Sequence, residues 1–404
     1  MKRVILLIID SLGIGAMSDI EEERKQDIGS NTLKHILESE KNLKIPNLLK
    51  LGLMNALGEE VGEYKSSKNT TYGKAKLKHY GADSFYGHYE IAGAKVENPI
   101  IRPISFYIDH IKSRLKSLEY RVEEKIIENK MYLIVNEGIM ICDNIEAEYG
   151  QVYTVIGSSF HTSYEEVKKV ALEVRHMVEV SRVVAVICDI PIEELKASIE
   201  VREKDYIGIN APKCDVYNRG YRVEHLGYGI SNKGHCVDKL TMKGIPVVLI
   251  GKVSDIIYGE VYKRIHGVET DTISKDIIGE IKNLSEGLIF ANIQGTDLAG
   301  HLQNTYLYGK ELEKVDMLLE EILSEITEED LLIVMADHGN DPVIGHSKHT
   351  REEIPILLYN SKLNGMKFIG ERNTLGDVGA TITDIFNCEK TEEGESFSLL
   401  LKNF

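Results

Sequence analysis

Several short apolar runs in this chain do not alternate with polar residues. They are Val4–Ile9 (VILLII), Ile245–Ile250 (IPVVLI), Leu288–Ile293 (LIFANI), Leu331–Met335 (LLIVM) and Ile356–Tyr359. A strand with one wet face alternates; a continuous run is apolar on both faces and needs cover on both. Between two of these runs, Leu312, Val315, Leu318, Leu319 and Ile322 fall on one helical stripe. Strands alternating with helices predict an α/β fold with a mostly parallel sheet flanked by helices. In such sheets ligands bind beyond the carboxyl ends of the strands. Asp10 ends the first run, Asp297 and His301 follow the third, and Asp337 and His338 follow the fourth, with His349 further on. A buried carboxylate or imidazole costs several kcal/mol unless something pairs with it. Aspartates and histidines gathered at strand ends point to a metal, and their number to more than one ion.

Each group also has a plainer reading. Asp10, before Ser11-Leu12-Gly13-Ile14-Gly15, fits a solvated strand-end acid with glycines for the turn; no Gly-Lys-Ser/Thr follows to make a phosphate loop. Asp297 and His301, four apart, share a helix face if a helix starts there, but Asp297 also fits a helix N-cap. Asp337-His338-Gly339 is more specific, with Gly339 letting the backbone turn. Either His346 or His349 stands within reach of that pair. Arg219 and Lys252 are candidate phosphate binders, arginine as a bidentate fork and lysine as a point charge, although most arginines and lysines are plain surface groups. Ser84, in Gly81-Ala82-Asp83-Ser84, needs a metal to activate its hydroxyl and carries no local mark of its own.

The middle of the chain differs. Val167, Val170, Ala171, Val174, Met177 and Val178 form a helical stripe, and Arg182–Ile187 reads as a strand. Glu193 to Asp205 reads as a charged, solvated stretch. With no His/Asp constellation here, residues 99–214 are expected to form an inserted α+β domain, and 1–98 with 215–404 the metal-binding core.

Composition narrows the partners. The 404 residues hold 48 Lys and Arg against 64 Asp and Glu, a net charge of −16, which does not attract a phosphate backbone, so no nucleic acid is expected. The apolar run after Met1-Lys2-Arg3 stops at Asp10, too short for a signal peptide, and no run is long enough to span a membrane. The scattered Cys142, Cys188, Cys214, Cys236 and Cys388 fit buried thiols in a reducing compartment, and the expected location is the cytoplasm. The number of subunits is not legible.

Taken together, these residues resemble the phosphopentomutase family, in the alkaline phosphatase superfamily of two-metal phosphoryl-transfer enzymes. The resemblance rests on Ile8-Ile9-Asp10-Ser11-Leu12-Gly13-Ile14-Gly15-Ala16, Pro46-Asn47-Leu48 with Leu51-Gly52-Leu53, and Gly87-His88-Tyr89-Glu90-Ile91-Ala92-Gly93. It continues through Gly251-Lys252, Ala336 to Pro342, His349-Thr350-Arg351-Glu352 and Asp377-Val378-Gly379-Ala380-Thr381. It implies an alkaline-phosphatase-like core and a cap that closes over it and helps bind the sugar phosphate. It implies that Asp10, Asp337 and His338 hold one divalent ion, with the nucleophile as a further ligand, and that Asp297, His301 and His349 hold the other. Manganese is the usual metal, and a sugar bisphosphate primer a possible further requirement. Ser84 stands where the family places a threonine that becomes phosphorylated, and Arg219 and Lys252 would hold the distal phosphate of a small phosphorylated sugar. The implied reaction interconverts pentose 1-phosphate and 5-phosphate. The alternative is a phosphohydrolase, or another phosphomutase, on the same core. Three departures bear on that choice. The usual lysine two residues before the nucleophile is Ala82. The Asp297-x-x-x-His301 step is one residue shorter than usual, as in cofactor-independent phosphoglycerate mutase. Cys188-Asp189-Ile190-Pro191 lacks the family's arginine before the proline.

Overall fold

A computed structural model describes residues 1–147, 149–202, 206–229, 233–363 and 365–401. The chain divides into two compact units, Met1–Val96 with Ser231–Phe404, and Glu97–Ile230.

The first unit is built on an eight-stranded sheet. Its strands are β1 (Arg3–Ile9), β2 (Thr71–Ala75), β3 (Val247–Ile250), β4 (Lys263–Ile265), β5 (Gly287–Ile293), β6 (Asp330–Met335), β7 (Ile354–Tyr359) and β8 (Lys367–Arg372). They lie in the order β4-β3-β5-β1-β6-β7-β2-β8. All neighbours are parallel except that β7 runs antiparallel to both β6 and β2. The non-alternating runs are the central strands, and every residue of β1, β5 and β6 is buried. Each such apolar side chain contributes about 1.5–3 kcal/mol, which offsets the polar groups that the same strands carry at their ends. Four helices matter for the site: α1 (Thr32–Ser39), α2 (Ser84–Ile91), α3 (Gly295–His301) and α4 (Thr305–Glu325). The stripe Leu312, Val315, Leu318, Leu319 and Ile322 is the buried face of α4.

The second unit has its own sheet, in the order Arg222–Gly227, Arg182–Cys188, Val152–Ser158, Ile139–Asp143, Lys130–Val135 and Val122–Ile127. The helix Tyr164–Arg175 buries Val167, Val170, Ala171 and Val174 and is capped by Ser163, which accepts from the Glu166 N–H. The expected core boundary at residue 215 needs correction. Arg222–Gly227 pairs antiparallel with Arg182–Cys188, so 215–229 belongs to the inserted unit, and Arg219 with it. Part of the stretch read as solvated is ordered, as the helix Ile192–Ala197 and the strand Ile199–Arg202; residues 203–205 lie outside the described residues. Among the described residues no helix is long and apolar enough to cross a membrane. The five cysteines are free thiols, four of them buried.

Candidate metal centre

Asp10, Asp297, Asp337 and His338 all lie past the carboxyl ends of β1, β5 and β6 and are buried. The backbone there is held tightly. The Asp10 N–H donates to the Ile293 carbonyl (3.1 Å), and the Asp10 carbonyl accepts from Thr296 Oγ1 (2.5 Å). Ser11 has φ +70, a left-handed conformation costly for a residue with a Cβ. The Tyr308 hydroxyl fixes it by donating to the Ser11 carbonyl at 3.0 Å, and the Ser11 N–H donates to Asp337 Oδ1 at 3.1 Å.

Ser84 opens α2, whose N-terminus Asp83 caps by accepting from the Tyr86 N–H (3.1 Å). Its hydroxyl donates to Asp337 Oδ2 at 2.6 Å. The helix can come this close because Gly87 has no side chain: a Cβ there would stand 2.7 Å from the Asp337 carbonyl oxygen. Gly339 has the same kind of role. Its φ is not positive, so it is not needed for a turn; a Cβ there would stand 2.5 Å from Glu352 Oε1.

Asp297 and His301 do share one face of α3, and Asp297 sits inside the helix rather than capping it. His349 joins them, so that a ligand atom from each lies within 4.8 Å of the others. His346 goes elsewhere, with Nε2 3.3 Å from Asp27 Oδ1. Among the described residues two further groups meet the same test, Asp10–Asp297–His338 and Asp10–His88–Asp337.

The imidazoles show what the cluster is built for. His349 Nδ1 is pinned to the Ala82 carbonyl (2.8 Å), His301 Nδ1 to the Ser347 carbonyl (2.7 Å) and His338 Nδ1 to the Gly339 carbonyl (3.0 Å). A carbonyl takes the Nδ1 proton and turns Nε2 outward as a ligand atom. His349 Nε2 then faces His301 Nε2 at 3.1 Å and Asp297 Oδ1 at 3.4 Å. His338 Nε2 faces Asp337 Oδ2 at 3.2 Å and Asp10 Oδ1 at 3.4 Å. Both residues are buried, and among the described residues neither His338 Nε2 nor Asp10 Oδ1 has a hydrogen-bond partner. Lone pairs converging in this way repel unless a cation lies among them. Ligands about 2.0–2.2 Å from one ion stand about 3.0–3.5 Å from each other, which these separations match. The residues therefore fit divalent ions.

Electrostatics agree. Burial, and then the Asp337 carboxylate, push the Asp10 carboxyl up to about 7. Burial opposes charge on Asp337 and Asp297 too, yet His338 and His88 hold the first, and His349 and Lys252 the second, well below the usual carboxylate range. Burial opposes a proton on His338, but Asp337 outweighs it and raises the imidazole to about 9. The space between Asp10 and Asp337 favours positive charge.

Lys252 supplies part of that charge. Its Nζ lies 2.8 Å from Asp10 Oδ2 and 3.7 Å from Asp297 Oδ2. Burial opposes its charge, but Asp10, Asp297 and Asp337 hold its pKa above the ordinary lysine value. Against the expectation that it holds a distal phosphate, Lys252 pairs with the clustered acids. Arg219, in the inserted unit, pairs with Glu194 Oε1 at 2.5 Å.

Three residues at the centre escaped the sequence reading. His88 lies one turn after Ser84; its Nδ1 is 2.7 Å from the Ser84 carbonyl and its Nε2 accepts from Asn292 Nδ2 at 3.0 Å. With both nitrogens engaged, His88 is a hydrogen-bonding link rather than a free ligand. Asn292 also donates to Asp10 Oδ2 (3.1 Å), and Asn340 Nδ2 donates to Asp297 Oδ1 (2.9 Å). The signals were a histidine four residues after Ser84 and an asparagine inside an apolar run.

Fold and site together define a metalloenzyme. The Metalloenzyme superfamily model matches residues 2–390. The chain is 32% identical over 405 residues to a phosphopentomutase of Alkaliphilus metalliredigens (strain QYMF), and 33% identical over 404 residues to a phosphopentomutase of Alkaliphilus oremlandii (strain OhILAs). Each alignment covers 98% of both chains. A Leishmania mexicana phosphoglycerate mutase structure aligns with TM-score 0.49 and 12% identity, covering 98% of this chain and 97% of that one. The chain belongs to the phosphopentomutase family, a divergent member of it, and is a metal-dependent phosphomutase.

Proposed function

We propose that this enzyme interconverts pentose 1-phosphate and 5-phosphate through a phosphorylated Ser84. The observation that carries the reading is the Ser84 hydroxyl, 2.6 Å from Asp337 Oδ2 at the N-terminus of α2 and beside the converging ligands. Asp10, Asp337 and His338 would hold one ion, with Ser84 Oγ as a further ligand; Asp297, His301 and His349 would hold the other. The metal proposed is manganese. When bound, the ions neutralise the phosphoryl oxygens and stabilise charge on the attacking and leaving oxygens.

The chain's own groups do the rest. Phosphoserine 84 sits where the first N–H groups of α2 favour an anion. Its P–O bond to Ser84 breaks as a free hydroxyl of the sugar phosphate bonds to phosphorus. The hydroxyl proton ends on Ser84 Oγ, which then donates to Asp337. The bisphosphate turns round, and Ser84 takes the other phosphoryl group in the reverse sequence. His88 holds the first turn of α2 through the Ser84 carbonyl, and Lys252 balances the charge of Asp10 and Asp297. Arg219 is proposed as a ligand of the distal phosphate, a sugar bisphosphate as the primer, and the cytoplasm as the location.

Replacing Ser84 with alanine tests the reading. Incubated with manganese and pentose phosphates, S84A should form no phosphoenzyme and isomerise nothing, while the ion held by Asp297, His301 and His349 stays bound. Full isomerase activity in S84A would refute the assignment. The arginine missing before Pro191 favours one alternative, a phosphohydrolase. Release of inorganic phosphate without isomerised sugar would establish it.

A further inference from the structure

Glu352 carries a carboxylate that the mechanism above does not use. It is fully buried. Among the described residues it accepts four hydrogen bonds, all from uncharged donors. Oε2 takes the Gly15 N–H (3.0 Å) and the Thr32 N–H (2.9 Å); Oε1 takes Thr32 Oγ1 (2.7 Å) and Thr350 Oγ1 (2.6 Å). Two loops make room for it. A Cβ on Gly13 would stand 2.4 Å from Oε2, and one on Gly339 2.5 Å from Oε1.

The donors are not a random set. Gly15 ends the loop that begins at Asp10. Thr350 follows His349 and bridges to Gly339, next to His338. Thr32 Oγ1 also accepts from the Asn340 N–H (3.1 Å), and Asn340 holds Asp297 through Nδ2. One carboxylate thus joins the Asp10 and His349 segments directly and the Asp297 segment through Thr32 and Asn340. A buried acid without a cationic partner costs several kcal/mol where a neutral group would cost less. Only an acid accepts at both ends here. With glutamine, the amide NH2 faces either two fixed backbone N–H groups or two hydroxyls whose own protons then lose their acceptor.

We propose that Glu352 is a positioning residue for the metal centre, fixing the spacing of the Asp10, Asp297 and His349 segments, and that the ion held by Asp297, His301 and His349 depends on it most. The second ion is singled out because two of its ligands hang on the network, His349 through Thr350 and Asp297 through Asn340. Asp10 has its own ties to Ile293 and Thr296. The inference rests on the two-ion reading of the site but not on the mutase chemistry.

The test is calorimetric titration of metal-free protein with Mn2+ alone, alongside its melting temperature. E352Q should weaken the second Mn2+ about tenfold, the range for groups that orient metal ligands, and the first by less than about threefold. T350V, which keeps the shape and removes one of the four bonds, should show a smaller loss in the same direction and serves if E352Q does not fold. D316N is the control for lost stability alone. Asp316 is also buried, and among the described residues its side chain is hydrogen-bonded to Asn47 and the Leu48 N–H, away from the ligand-bearing segments. It should lower the melting temperature and leave both Mn2+ constants unchanged. The proposal is overturned if E352Q and T350V both bind two ions as wild type does, or if D316N weakens them as much. Should wild-type protein take up no Mn2+, the two-ion reading itself fails and Glu352 loses its role with it.

Discussion

The two ends of the same pair of strands handle buried charge in opposite ways. At the amino end of β1 and β6, Arg3 and Asp330 form a bidentate pair, Nε to Oδ1 at 2.9 Å and Nη2 to Oδ2 at 2.8 Å. The Leu284 carbonyl and the Thr327 N–H take up further valences. At the carboxyl end, Asp10 and Asp337 stand beside each other with Asp297, and among the described residues Asp10 Oδ1 has no donor. The first end is complete within the protein. The second is arranged so that a cation from outside completes it. A buried acid alone therefore says little about function; whether the protein satisfies it says much more.

The largest expected effect breaks the satisfied end. D330N leaves the Arg3 guanidinium buried against a weaker acceptor, and losing one partner of such a pair costs about 3–5 kcal/mol. Urea unfolding should show that loss, with the affinity for Mn2+ unchanged. A loss below 1 kcal/mol would mean that water or backbone carbonyls satisfy Arg3 just as well.

The matching change at the other end should go the opposite way. Asp10 is raised to about 7 by burial and Asp337. A carboxyl whose folded pKa lies above its unfolded one favours the fold when protonated. Its effect turns unfavourable as pH rises from about 4 to about 7. D10N removes that burden and should stabilise metal-free protein at neutral pH by roughly 1–3 kcal/mol, while isomerase activity disappears. If D10N destabilises the metal-free protein, Lys252 already neutralises Asp10 and the contrast between the ends is weaker than drawn.

Much of this could be read without the fold. Continuous apolar runs mark doubly covered strands, and the acids and histidines just beyond them are the clustered groups. What was hidden depends on partners far away in sequence. Asn292 meets His88 across 204 residues, and nothing local in either segment announces it. The boundary at residue 215 failed because Arg222–Gly227 is assigned by its pairing with Arg182–Cys188, not by composition. Gly13 and Gly339 look like turn formers because their sequence context is the same either way; only the position of the Glu352 carboxylate separates the two roles.

Glu90 sharpens the comparison with a smaller effect. It is another buried carboxylate, in the helix that carries Ser84, and the protein satisfies it fully. His79 Nδ1 lies 2.7 Å from Oε2, the His79 N–H donates to the same oxygen at 2.9 Å, and Thr374 Oγ1 and the Leu375 N–H donate to Oε1 at 2.7 and 2.9 Å. Burial alone would raise its carboxyl, but these donors, His79 first, bring it down to about 2. A depressed carboxyl stabilises the fold above its unfolded pKa, near 4.5, and that stabilisation is lost as pH falls towards about 2. The sign is the reverse of that for Asp10, although both acids are buried. Wild-type stability should therefore fall steeply below about pH 4.5, and E90Q, less stable at neutral pH, should show a shallower fall. Equal slopes for the two proteins below that pH would mean that Glu90 is not held ionised by its donors, and that burial alone does not distinguish it from Asp10.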